Sequence, residues 1–162
     1  MIDQKSYTKQ WICSYYLLRG LGLYPQPLKI NPPYDVLDGY YINSKGATVF
    51  FKITVRRDPV DKYQSHFIES TYLEPLAKRW KDGNEVCYFN FFHAGKTRVY
   101  NCIAYNIGER LKEGMTYVER EYPQRTIGGN GIIVRKKVVE LTYDEKYLDQ
   151  KLHIEIPKTP RK

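Results

Sequence analysis

The run EVCYFNFF (85–92) leaves few architectures open. A strand with one wet face alternates apolar and polar residues, whereas this stretch is apolar and aromatic almost throughout. It reads as a central strand covered on both faces, so the chain must supply one layer above a sheet and another below it. KTRVYNCIA (96–104) is its expected antiparallel partner across HAG.

The covering layers are sought in the periodic segments. SYTKQWICSYYLLRGLGL (6–23) repeats Tyr7, Trp11, Tyr15 and Leu18 at helical spacing, with Gly20 and Gly22 to end the helix. PLKIN (27–31) reads as a short strand or extended arm, and runs 34–42 and 47–55 as two strands joined by the turn residues NSKG. In RRDPVDKYQ, Asp58 before Pro59 predicts a helix start, with Val60, Tyr63 and Phe67 as its buried stripe. Pro75 is expected to kink or restart that helix at PLAKRWK. IGERLKEG predicts a short helix, GIIVRKKVVELT a late strand, YDEKYLDQ a last helical turn and LHIEI a last short strand. The order is that of an α/β or α+β fold with a mixed central sheet flanked by helices. One domain over 1–157 with a disordered tail at 158–162 is the simplest organisation.

Composition narrows the class. Sixteen tyrosines and six phenylalanines among 162 residues argue against disorder. Cys13, Cys87 and Cys102 are odd in number and form no CxxC, which fits thiols in a reducing cytoplasm better than a disulfide framework or a zinc site. The polar start and the lack of a long apolar run predict a soluble, cytoplasmic protein without a membrane partner. The net charge is +8, and residues 1–57 hold eight basic residues against three acidic ones. A basic surface of this kind attracts phosphate backbones, although a merely solvated basic face would have the same composition.

The segment DGYYINSKGATVFFKIT (38–54) carries the chemistry. Alternation places Phe50, Lys52 and Thr54 on one side of the second strand, with Val49, Phe51 and Ile53 on the other. A lysine between large apolar residues is costly unless it meets a carboxylate or phosphate. Counting back through NSKG puts Asp38 opposite Lys52, with Asp35 further along. Metal-dependent phosphodiester cleavage uses carboxylates to hold Mg²⁺ and a lysine to position water.

On these residues the chain, over about 5–92, resembles the PD-(D/E)xK or restriction-endonuclease-like superfamily. That signature has an acid on one strand, a hairpin, (D/E)xK on the next strand and a helix after the lysine. The resemblance implies a restriction-endonuclease-like core and a nucleic-acid-binding protein of phage or mobile-element type, located in the host cytoplasm if phage-encoded. It favours DNA over RNA as partner and leaves a homodimer or protein partner open. The implied catalytic residues are Asp38, Lys52 and Glu69, with Asp38 and Asp35 at an Mg²⁺ that is required only if the site is active. Arg56, Arg57 and Lys62 would grip phosphates. Two positions depart from the pattern: Phe50 stands where the second acid belongs, and the first helix offers Gln10 or Gln4 in place of an acid. Glu69 or Asp61 could supply the missing carboxylate, and the departures imply weak or lost nuclease activity.

Other readings of the same residues stand beside this one. Asp38–Gly39 suits a turn, and Lys52 could snorkel from an edge strand. His66, His93 and His153 show no ligand spacing, and the Tyr15–Tyr16 and Tyr40–Tyr41 pairs suit a core with polar tips as well as base stacking. IGGNGI (127–132) lacks the Lys-Ser/Thr of a P-loop. A virion component or an enzyme inhibitor, with no nucleic-acid chemistry, is the alternative function.

Overall fold

A computed structural model describes residues 4–28, 37–56, 66–123, 132–141 and 146–155. The protein is mixed α+β, with a mostly antiparallel mixed sheet flanked by helices. In chain order the elements are α1 (Gln4–Gly20), β1 (Gln26–Pro27), β2 (Gly39–Ile42), β3 (Thr48–Arg56), β4 (His66–Glu69), α2 (Ser70–Lys81), β5 (Glu85–His93), β6 (Val99–Asn106), α3 (Ile107–Glu113), β7 (Val118–Pro123), β8 (Ile133–Leu141) and β9 (Lys146–His153). Six strands form the main sheet in the order β1-β2-β3-β5-β6-β9, and β4-β8-β7 form a second, smaller sheet. Among the described residues β3 and β5 pair in parallel and the other pairings are antiparallel.

Strand β5 is buried along its middle, as the apolar run requires. One face of the main sheet carries Val49, Phe51, Ile53, Phe89 and Phe91, which pack under Leu17 and Leu18 of α1. The opposite face carries Phe50, Val86, Tyr88, Phe92 and Tyr105. It is covered by Leu73 and Leu76 of α2, Ile107 of α3, and Ile68, Val139 and Leu141 of the small sheet.

The hairpin forms as its turn residues dictate. Asn43 Oδ1 accepts from the backbone N–H groups of Lys45 and Ala47, and Gly46 takes φ +79°. Glycine also decides the other end. A Cβ on Gly39 would run into the backbone oxygen of Gln26 and crowd Phe51 and Trp11, so Gly39 serves close strand packing within β2 and not a turn.

Three expectations are corrected. Phe67 lies in strand β4, paired with Glu140 of β8, and the helix begins at Ser70; residues 57–65, with Asp58, Val60, Asp61 and Tyr63, lie outside the described residues. The Asp-Pro signal cannot therefore start a helix that runs through Phe67. Helix α2 continues through Pro75 without a restart, six residues into the helix. The segment read as a last helical turn is strand from Lys146 onward, continuous with Leu152 and His153 and paired to β6, whose open edge overrides local preference. Strand β7 was not anticipated. Of the first expected strand, residues 34–36 lie outside the described residues and pairing starts at Gly39, while β6 begins at Val99. The tail 158–162 also lies outside them.

Candidate functional site

Register places the two central residues of the expected site. Gly39 pairs with Phe51 and Tyr40 with Phe50, so Asp38, just before β2, stands opposite Lys52. The Lys52 ammonium lies 3.4 Å from Asp38 Oδ2, with the side chains only 9% and 5% exposed. The same oxygen accepts from the Ile53 backbone N–H at 2.7 Å. Lys52 also lies over the Tyr72 ring, 4.7 Å from its centroid. Strand β3 is central, between β2 and β5, so Lys52 cannot snorkel from an edge. Burial pushes the Asp38 carboxyl above the usual carboxylate range, while the Lys52 charge and the Ile53 N–H pull it back.

Phe50 shares this face, two residues before Lys52, and packs on Tyr40 with the Arg79 guanidinium 4.4 Å from its ring centroid. The position where a second metal-binding acid would stand is thus built into a cation–aromatic stack. Glu69 ends β4 and directly precedes α2, rather than lying three turns along a helix. Its carboxylate takes Lys136 at 3.0 Å and the Thr71 hydroxyl at 3.4 Å. Burial, foremost, and then Glu69, Tyr88 and Asp38 push the Tyr72 phenol above its ordinary value, which locates Tyr72 within the field of both carboxylates.

Beyond Lys52 the same face stays polar. Parallel pairing sets Lys52 beside Tyr88, Thr54 beside Asn90 and Arg56 beside Phe92. The Tyr88 and Thr54 hydroxyls are 2.8 Å apart, and the Tyr88 phenol lies within the field of Arg56. The Tyr88 phenol is pushed up by burial, against the opposing pull of Arg56. His66 Nδ1 meets the Tyr105 hydroxyl at 2.8 Å and its ring lies against Phe92, a core placement.

The structure therefore brings together Asp38 and Lys52, with Glu69 at the rim and Arg56 one step beyond Thr54. Asp35, Asp61, Arg57 and Lys62 lie outside the described residues, as does most of the glycine-rich loop 127–132; Gln4 and Gln10 fall on α1 with their side chains outside the description. Tyr72, Tyr88, Thr54 and Asn90 were not anticipated as site residues. A tyrosine and an asparagine inside the apolar β5 run were the available signal, legible only once the parallel register was known. Among the described residues no cluster of three or more His, Cys, Asp or Glu is placed to hold a metal ion, and no helix is long and apolar enough to cross a membrane. Cys13 and Cys87 are free thiols; burial raises Cys13 to about 11, with Asp38 adding to the shift.

Comparison with protein-family models, with curated proteins and with solved structures finds no match.

Proposed function

We propose that this chain is a nucleic-acid-binding protein with a restriction-endonuclease-like core, whose Mg²⁺ site is weakened by the loss of one carboxylate. The observation that carries the reading is the Asp38–Lys52 pair, held on neighbouring positions of a hairpin and followed by a helix and a parallel strand. A buried lysine held beside a carboxylate is the arrangement that positions water at a phosphodiester, given a divalent ion. With Phe50 in the second position and Glu69 engaged by Lys136, the metal would have Asp38 as its main anionic ligand, so slow or absent cleavage follows. DNA is the favoured partner, with Arg56, Arg57 and Lys62 on phosphates and a phage or mobile-element setting.

The test is cleavage and binding in parallel. Linear, branched and single-stranded DNA, and RNA, are incubated with Mg²⁺ and with Mn²⁺, and binding is measured across salt. Salt-sensitive binding with little cleavage is expected. Brisk cleavage abolished by both Asp38→Ala and Lys52→Ala would show an intact site. Failure to bind any of these at low salt would remove the reading.

One observation favours a second reading. Asp38 already satisfies both Lys52 and the Ile53 N–H, as a purely structural ion pair would. In that case the protein is a structural or interaction component, and its charge serves solubility or a protein partner.

A further inference from the structure

Asn90 is fully buried in the most enclosed strand of the main sheet, and neither its amide oxygen nor its amide nitrogen has a hydrogen-bond partner. Its neighbour across the parallel pairing is Thr54, and one pleat further along β3 the Nε of Arg56 is also buried without a partner. An unsatisfied buried polar group costs about 1–3 kcal/mol, so two side by side call for an occupant. The neighbouring hydroxyls decide which atoms are on offer. Either hydroxyl of the Tyr88–Thr54 pair can donate across their 2.8 Å contact, and with the Arg56 charge facing the Tyr88 oxygen, Tyr88 is the donor that this seat requires. Thr54 then has its hydroxyl proton to give. Thr54 O–H, Asn90 Nδ2–H and Arg56 Nε–H are three donors on one patch of the sheet, beside a guanidinium charge.

We propose that Thr54, Asn90 and Arg56 form a seat for a phosphate oxygen, braced by Tyr88 and lying one pleat beyond Lys52. A ligand rich in acceptors and bearing negative charge completes all three donors. Two residues of strand separate the seat from Lys52, about 7 Å, so one bound strand can meet both. The inference rests on the nucleic-acid reading above and names a contact that the hairpin signature does not contain.

The test uses the whole chain and the variants Asn90→Leu, Thr54→Val and Arg56→Ala. Thermal unfolding is compared in millimolar inorganic phosphate and in chloride of equal ionic strength. Binding of a fluorescent DNA oligonucleotide is measured across salt. Phosphate should raise the wild-type Tm, and the rise should vanish in Asn90→Leu and Thr54→Val. Both variants should bind DNA about tenfold more weakly, the effect of one hydrogen bond to a charged group. Neither changes charge, so their salt slope should match wild type, while Arg56→Ala lowers it by about one unit. Asn90→Leu removes two unsatisfied groups and should fold; Thr54→Val is nearly isosteric and tests the same seat independently. Absence of a phosphate response in wild type, or its persistence in both variants, overturns the seat and leaves Asn90 holding buried water. DNA bound equally by all forms also overturns it, with the binding reading intact. A phosphate response lost in the variants, with no DNA bound by any form, keeps the seat as a small-anion site and removes the nucleic-acid reading.

Discussion

The Arg79 guanidinium lies 4.4 Å from the Phe50 ring centroid, on the face of β3 that carries Lys52. A carboxylate in place of that ring would stand two residues from Lys52 on the same side, with Arg79 as a neighbouring counter-charge. Phe50→Glu should lose about 3 kcal/mol of stability in the absence of metal, because a buried ring leaves the α2 side of the core. In exchange it should gain a Tm increase with Mn²⁺ larger than that of the native chain. Thermal unfolding with and without Mn²⁺ reads both effects; a variant indifferent to the ion would argue that this hairpin cannot hold one.

Lys52→Met isolates the cost of the buried pair. Removing Lys52 takes its counter-charge from the buried Asp38, a loss of about 3 kcal/mol at neutral pH. Stability should return on acidification, since a protonated Asp38 needs no counter-charge. Urea midpoints across pH, for variant and wild type, check both statements.

The sign of the native pH dependence follows from the raised Asp38 carboxyl. The folded chain holds that proton more tightly than the unfolded chain does, so this group favours folding most below the ordinary carboxylate value of about 4. That contribution is lost as pH rises through the folded value. Asp38→Asn should flatten stability over this window. An unchanged slope in the variant would place the titration elsewhere.

Arg56→Ala with Arg57→Ala should weaken DNA binding alike for all sequences. Two phosphate contacts correspond to a fall of about 1.8 in the slope of log affinity against log salt. Fluorescence anisotropy at several salt concentrations measures it, and a slope equal to wild type would take these arginines off the phosphates.

Gly39→Ala should cost about 1–3 kcal/mol, because its methyl group meets the Gln26 backbone oxygen and Trp11. A lower urea midpoint at constant m-value is the expected readout.

The elements legible in the sequence were those whose signals are local. The β2–β3 turn reads directly from Asn43 and Gly46, and the short α3 from IGERLKEG; the structure adds the Asn106 side chain, which accepts from the Glu109 N–H, as its cap. The opposition of Asp38 and Lys52 followed by counting. The small sheet was hidden because its strands depend on partners distant in the chain. Strand β7, VEREYP, has no apolar alternation; it sets Glu119 against Lys137 and Glu121 against Arg135, pairs that mean nothing until β8 lies beside it. Strand β4 is four residues long and follows a strong helix-start signal. The polar row of the site was concealed for a related reason: Tyr88 and Asn90 look like core irregularities until β3 and β5 are known to run in parallel.

The β4–β8 pairing joins Ile68 to Val139 across more than a third of the chain, whereas Asp38 and Lys52 are close in sequence. Closing the longer loop demands more entropy before any contact repays it. The walls of the candidate site should thus assemble in sequence: the hairpin first, with its buried pair, and the Glu69–Lys136 rim last. A rim that forms last is also the part that opens first, so proteases and hydrogen exchange should find β4 and β8 while the hairpin is still closed. The ion pair would then face solvent by local opening, at a free-energy cost smaller than that of unfolding the sheet beneath it.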